Sequence, residues 1–221
     1  MHLGLILDGN RRWAKKRGLP AAMGHKRGIE NFQKILEHAA ATERIDTISA
    51  FALSTENLNR SADELDNLFQ LLAGIEEKTP RFIEHGITVR FLGNLELLPD
   101  YLVESFARVT ESTSAGSRFC VNLCVAFGGR DEIVRAASRL AAQNPPIWNE
   151  DELSAHLDSS ANPPLDLVIR TGGQKRISNF MIWEAAYAEF YFTDTLWPAF
   201  TAEELEQAIA FFDEQKRNFG K

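Results

Sequence analysis

The sequence predicts an α/β fold, a single domain built on a mainly parallel sheet with helices over both faces. Short apolar runs alternate with longer segments of helical periodicity, which is the βαβα order of a parallel sheet. The apolar runs carry little polar alternation, as strands buried on both faces do. Polar and glycine-rich residues gather directly after those runs, where ligands sit in open parallel sheets.

The first strand is LGLIL (3–7), closed by Asp8 and Gly9. A helix follows over about 24–42, then the strand DTISAFAL (46–53). The next helical stretch, 61–84, opens on Ser61 with Glu64 three residues later, the spacing of a capping box. ITVRFLG (87–93), a helix over 98–114 and the strand FCVNLCVAF (119–127) come next, and a helix over 130–143 completes that unit. A short helix over 150–157 opens on Asn149 with Glu152. DLVIRT (166–171), a helix over 178–187 and EFYFTDTLW (189–197) precede the last helix, 201–217, which opens on Thr201 with Glu204. The stretch 141–166 holds two proline pairs but is too short, and too helical in its middle, to divide the chain into domains.

Charge narrows the function. Against 24 Lys and Arg stand 31 Asp and Glu, a net charge of -7, which argues against a general nucleic-acid binder while leaving room for a local anion site. Cys120 and Cys124 share one strand and read as small buried apolar residues; neither a zinc site nor a disulfide suits them. No apolar stretch approaches the ~18 residues of a membrane span, and LGLIL is too short for a signal-peptide core, so the expected compartment is the cytosol, with peripheral membrane contact left open.

The strand ends supply the chemistry. Asp8, Gly9, Asn10 and Arg12 follow the first strand; Ser54, Glu56, Asn57 and Arg60 follow the second; Gly128, Gly129 and Arg130 follow the fourth. Arg170, Thr171, Gly172, Gly173, Arg176 and Ser178 lie at or beyond the end of the fifth. The usual nucleotide-phosphate fingerprints are absent. Arginine forks and a helix N-terminus are the alternative phosphate grip, and Arg170 and Arg176 flank TGG ahead of such a start, although loop arginines are more often solvated or ion-paired. Asp8 reads as a turn cap with Gly9 or as a magnesium ligand. His25 reads as an idle helix-start residue or as a phosphate donor. Glu189, heading an aromatic strand, needs a partner if it is buried.

Together these segments resemble the cis-prenyltransferases, the Z-type isoprenyl diphosphate synthases of the undecaprenyl diphosphate synthase family. The resemblance rests on LDGNRRWA (7–14), GHKRG (24–28), AFALSTENLNR (50–60), VAFGGRDEIVRA (125–136) and DLVIRTGGQKRISNFMIWEAAYAEFYFTDTLWP (166–198). It implies a six-stranded sheet, about seven helices, an apolar tunnel between helices and sheet, and a homodimer. Isopentenyl diphosphate would be condensed, with Mg²⁺, onto an allylic diphosphate primer to leave a cis double bond. By resemblance Asp8 binds metal and acts in catalysis with Asn57. Gly9, Asn10, Arg11, Arg12, Trp13, His25, Ser54 and Arg60 hold the primer diphosphate. Arg170, Arg176 and Ser178 hold isopentenyl diphosphate, and Glu189 is a second metal-associated carboxylate. Ala52, Phe119 and Val125 fall on the tunnel, and the bulk of the last two predicts short to medium products.

The chain departs from the family pattern at several positions. Arg11 stands where a glycine is common, Ala21 where an arginine is, and Leu58 where an aromatic is. Gly172, Gln174 and Lys175 alter the isopentenyl loop, and Asn218 replaces a C-terminal arginine. These changes keep two alternatives open: an irregular condensation of two allylic units, or a non-catalytic scaffold subunit.

Overall fold

The computed structural model describes residues 1–143 and 148–215. Six strands form one sheet in the order β3-β4-β2-β1-β5-β6, and every neighbouring pair is parallel. They are β1 (His2–Ile6), β2 (Thr47–Ser54), β3 (Ile87–Leu92), β4 (Phe119–Phe127), β5 (Leu167–Arg170) and β6 (Glu189–Phe192). The helices are α1 (Asn10–Lys15), α2 (Ala21–Ala41), α3 (Ala62–Ala73), α4 (Thr79–Glu84), α5 (Asp100–Thr113), α6 (Gly129–Ala142), α7 (Glu150–Ser154) and α8 (Ala202–Glu214). Counting the one-to-two-turn α1 and α4, this is close to the seven helices expected.

The central strands are apolar because both faces are covered. On one face, residues of α2, α3, α5 and α8 pack with alternate strand residues into the main core, with Ile35, Phe69, Phe106 and Leu205 buried among them. On the other, Phe127, Leu165, Phe180 and Met181 form a smaller core, where Phe180 stacks on Phe51 at 4.9 Å between ring centroids. Strand β2 bulges at Ala52: Phe51 pairs with Cys124 and Leu53 with Val125, so Ala52 has no opposite residue. Bulges of this kind re-aim the end of a strand beside a site.

Three expectations fail for visible reasons. Residues 178–187 form turns rather than a helix, since Ser178, Asn179 and Met181 all adopt positive φ (51°, 65° and 38°). The stretch 61–84 breaks after Gly74 into α3, a 3-10 turn and α4, with Pro80 in the first turn of α4. Strand β6 ends at Phe192, and 193–197 turn back toward β1, where the Trp197 N–H donates to the Asp8 carbonyl. Of the predicted helix starts, Thr201 forms a full capping box with Glu204, and Asn149 accepts from the Glu152 N–H. The Ser61 side chain makes no cap hydrogen bond, and the Glu64 carboxylate is drawn to arginines. The position of Asn218 and part of the 141–166 stretch lie outside the described residues.

The motif GHKRG has a packing explanation. Gly24 and Gly28 sit one turn apart on α2, facing α1. A Cβ at Gly24 would stand 2.2 Å from the Asn10 carbonyl oxygen, and one at Gly28 would stand 2.2 Å from Asn10 Oδ1. Trp197 Nε1 donates to the Gly28 carbonyl at 2.9 Å, and Asn31 Nδ2 donates to the carbonyls of Trp197 and Phe200, which fixes the same corner from the other side.

Two effects oppose each other in Gly24→Ala: alanine gains up to ~1 kcal/mol of helix propensity, while overpacking against backbone costs ~1–3 kcal/mol. The contact is with a backbone carbonyl, so the clash wins. Urea unfolding should show a lower midpoint with an unchanged m-value.

Candidate active site

The turn after β1 places Asp8 at the carboxyl end of the sheet, between two guanidinium groups. Its Oδ1 accepts from Arg12 Nη2 at 3.0 Å and its Oδ2 from Arg170 Nη2 at 2.9 Å. Its carbonyl accepts from Thr171 Oγ1 at 2.7 Å. Arg12 reaches on to the Gly172 carbonyl at 2.7 Å. Arg170 is almost fully buried and also donates through Nη1 to Ser178 Oγ at 2.7 Å and to the Arg176 carbonyl at 2.5 Å. Its Nε is buried without a protein acceptor. Charge-assisted contacts thus stitch the first and last motifs of the chain together.

Gly172, expected as a departure, has a local reason. It adopts φ +85°, and a Cβ there would meet Arg12 Nη2 at 2.5 Å, so a side chain at this position would be strained and would press on the arginine. Gln174 accepts from Arg176 Nη1 at 2.7 Å. A neutral amide therefore holds Arg176, and among the described residues no carboxylate forms an ion pair with it.

A second cluster faces the first from β2 and the starts of α1 and α2. Ser54 Oγ accepts from the Asn57 N–H at 3.2 Å, and Asn57 Oδ1 accepts from Arg60 Nη2 at 2.9 Å. Arg60 Nη1 donates to Glu64 Oε1 at 2.9 Å, and Arg11 Nη1 lies 3.7 Å from the same oxygen. Burial first, then the charge of Arg60, push His25 below the ordinary histidine range; Glu64 pulls the other way, and Arg11 adds the smallest push. His25 therefore sits in the field of the same arginines. Trp13 packs under the Arg17 guanidinium at 4.1 Å, at the outer side of α1.

Asn179 links the two clusters. Its Nδ2 donates to Glu56 Oε1 at 3.0 Å, its Oδ1 accepts from the Arg130 N–H at 2.9 Å, and its carbonyl accepts from the Gly129 N–H at 2.7 Å. Sequence reasoning did not assign a role to Asn179, Thr171 or Glu64. Glu64 was legible only as a capping-box acid, and the four-residue spacing to Arg60 was the overlooked signal.

Glu189 stands apart. The registers Leu3↔Leu167 and Leu167↔Glu189 put it level with Leu3, five residues before Asp8, so ~16 Å separates them along the strands. Within one chain the two carboxylates cannot hold one ion. Glu189 is only half-buried on an edge strand, which also removes the need for a buried partner. Among the described residues no group of three acidic, histidine or cysteine side chains could hold a metal. Asp8 alone suits Mg²⁺ in the mode that takes one carboxylate and completes its shell with phosphate oxygens and water.

The expected tunnel residues divide. Ala52 is half-buried at the bulge, whereas Phe119 and Val125 are buried in the main core. Beside Phe119, whose register partner is Ile87, a cleft of about 350 Å³ lies between α2 and α4, lined by Leu36, Ala40, Phe82 and Ile87 among others.

Residues 6–220 match the family described as putative undecaprenyl diphosphate synthase. The chain belongs to the undecaprenyl diphosphate synthase family. It is 40% identical to the isoprenyl transferase of Aquifex aeolicus across all of this chain and 95% of that protein. It is 39% identical to the isoprenyl transferase of Campylobacter jejuni, across all of this chain and 98% of that protein. Among solved structures, lavandulyl diphosphate synthase from Lavandula x intermedia in complex with dimethylallyl diphosphate superposes with a TM-score of 0.95 at 32% identity. A probable undecaprenyl diphosphate synthase from Campylobacter jejuni superposes at 0.85 with 36% identity, and both comparisons cover 100% of this chain and 98% of the other. As a member of this family the chain is an isoprenyl transferase.

Besides burial, the groups that depress His25 are the cations Arg60 and Arg11, which an anion would neutralise. Saturation with inorganic pyrophosphate should therefore raise its titration midpoint, read by NMR of the imidazole. Its lowered value in the folded chain also means that its stability contribution is present above about pH 6.5 and is lost as pH falls through the folded value. Replacement by Gln should flatten that acid-side loss in thermal unfolding.

Proposed function

We propose that the chain joins isopentenyl diphosphate to an allylic diphosphate primer, giving a cis (Z) prenyl diphosphate of short to medium length in an Mg²⁺-dependent reaction. One observation carries the reading: Asp8 lies between Arg12 and Arg170, at the meeting point of the cluster expected to hold the primer and the loop expected to hold isopentenyl diphosphate. The buried, unpartnered Nε of Arg170 is a donor that a diphosphate oxygen would satisfy.

In this reading Gly9, Asn10, Arg11, Arg12, His25 and Arg60 bind the primer diphosphate, with Trp13 and Ser54 beside them. Arg170, Arg176 and Ser178 bind isopentenyl diphosphate. The C–O bond of the primer breaks and its electron pair leaves on the diphosphate, whose charge the arginines stabilise. The isopentenyl double bond attacks the allylic carbon, a new C–C bond forms, and a proton is lost to leave the new double bond. Asn57, fixed by Arg60 and by the turn at Ser54, orients the reacting groups. When bound at Asp8, Mg²⁺ supplies charge neutralisation to the diphosphate.

The chain is proposed to act in the cytosol as a homodimer. Tyr187 (78% exposed) precedes the edge strand β6 and Val134 (64%) stands out on α6, which supplies apolar surface for a second copy. No described helix is long and apolar enough to cross a membrane. The irregular condensation of two allylic units keeps a place as a second reading. It is favoured by the 0.95 TM-score to the lavandulyl synthase, above that of the bacterial synthase despite lower identity.

The test is incubation with Mg²⁺ and isopentenyl diphosphate plus dimethylallyl, geranyl or farnesyl diphosphate, with a dimethylallyl-only control, resolving products by length and double-bond geometry. Product from the control alone would replace the first reading with the irregular one, and no product from any primer would favour a scaffold subunit. Asp8→Ala should lower kcat/KM by about 10²–10³, with activity of the wild type abolished by a chelator and restored by Mg²⁺. Arg11→Gly should raise KM for the primer. Phe119→Ala should lengthen the dominant product, because it joins new space to the cleft lined by Ile87 and Leu36.

A further inference from the structure

Behind the loop that carries Arg176 and Ser178 lies a buried pair of acids that the proposed chemistry leaves unused. Glu132, in the first turn of α6, is fully buried, and Glu184, in the turns before β6, is 7% exposed. Both converge on Ser159: its N–H donates to Glu132 Oε1 at 3.2 Å, and its hydroxyl donates to Glu184 Oε1. On each carboxyl group the second oxygen, Oε2, is buried without a donor.

The surroundings offer no counter-charge. From β4 comes the fully buried, uncharged Cys124 thiol, which burial pushes well above its ordinary range. From the turn after α7 comes Asp158, whose carboxylate is taken by Arg135 and Arg139 of α6; Arg135 also holds Asp131. Among the described residues no arginine, lysine or histidine lies within 4 Å of either glutamate carboxylate. Two ionised carboxylates in such a place cannot both persist.

We propose that Glu132 and Glu184 share a proton at neutral pH and together act as positioning residues, latching the isopentenyl diphosphate loop to the start of α6. A proton on either carboxyl removes one of the two buried charges and turns an unpartnered Oε2 into a donor, while Ser159 keeps both groups in one pocket. The loop needs a restraint of this kind. Three non-glycine residues between Ser178 and Met181 hold positive φ, and they are gripped at Gly129 and Arg130, three and two residues before Glu132. Glu184 follows Met181 by three residues, and its carbonyl accepts from the Leu165 N–H at 3.1 Å. The shared proton ties the far end of the loop to the helix whose N-terminus holds the near end.

Electrostatics agree with the geometry. Burial, then Glu184 and Asp158, push Glu132 up to about 8. Burial first, with Asp158, pushes Glu184 up as well, against the Ser159 hydroxyl. The sign follows: the contribution of a raised carboxyl is full below its ordinary value and is lost as pH rises toward 8.

The test compares wild type with Glu184→Gln, whose amide donates to Glu132 without needing a proton. Infrared spectra at pH 7 should show a protonated-carboxyl stretch in the wild type that is lost in the variant. Between pH 5.5 and 8.5 the wild-type Tm should fall more than that of the variant, the gap widening by about 4 °C or more. Above pH 8, KM for isopentenyl diphosphate should rise in the wild type with little change in kcat, and stay flat in the variant. Parallel Tm curves, or no protonated-carboxyl stretch in the wild type, would overturn the shared proton, and an unchanged KM profile would overturn the latch. If Glu184→Gln fails to fold, Glu132→Gln gives the same comparison. The latch rests on the proposed function. Should no primer be extended, the infrared and thermal readouts still decide the shared proton, and calorimetric binding of isopentenyl diphosphate against pH decides the latch.

Discussion

The site depends on one carboxylate held between two guanidinium groups. Asp8 is fixed by its place after β1, Arg170 by its place at the end of the adjacent β5, and Arg12 by the first turn of α1. Sheet register alone brings Asp8 and Arg170 together, since Ile6 pairs with Arg170 and two further residues carry the chain to Asp8. A parallel sheet aligns strand ends from distant parts of the sequence, here 162 residues apart. A partly buried ion pair of this kind is weak evidence of stability, because desolvation offsets much of the attraction. Its value is that two arginines are preorganised at one point.

Such preorganisation requires the surrounding backbone to approach closely. Gly24 and Gly28 let α1 lie directly on α2, which sets the direction of Arg11 and Arg12. Trp197, returning from β6, closes the corner through its indole N–H and its carbonyl. The bulge at Ala52 turns the end of β2 so that Ser54 begins the 3-10 turn carrying Asn57 and Arg60. Small residues where backbones touch and polar residues where strands end are thus two consequences of one packing arrangement.

Most of this was legible in the sequence, for physical reasons. All six strands were, because strands covered on both faces must be apolar, and their order with the helices set the parallel sense. The site residues at the ends of β1, β2 and β5 were, because topology sends strand ends to one side. The turns of 178–187 were not: apolar residues near helical spacing there pack Phe180 and Met181 into the smaller core from positive-φ backbone, and hydropathy does not report backbone sign. Glu189 heads β6 as the sequence indicated, and only the register shows that this puts it level with Leu3, away from Asp8 within one chain. The joining roles of Asn179 and Ser159 were not legible, because they tie segments 25 to 123 residues away, which one sequence cannot display.

The arginines around Asp8 are occupied before any substrate is bound. Arg12 and Arg170 rest on Asp8, Arg60 and Arg11 on Glu64, and Arg176 on the neutral Gln174. Each of the first two groups sets two arginines against one carboxylate and keeps one net positive charge, while in the third an amide leaves Arg176 its full charge. Under the proposed chemistry a diphosphate entering at Asp8 has to draw Arg12 and Arg170 from a carboxylate, which frees that carboxylate for a cation. One entering at Arg176 displaces only an amide. Arg176 then presents its charge without a competing carboxylate, while Arg12 and Arg170 exchange partners as the site fills. That asymmetry rests on Gln174, a neutral amide at one of the positions where this loop departs from the family pattern, and it gives the departure a physical consequence that the motif pattern alone leaves blank.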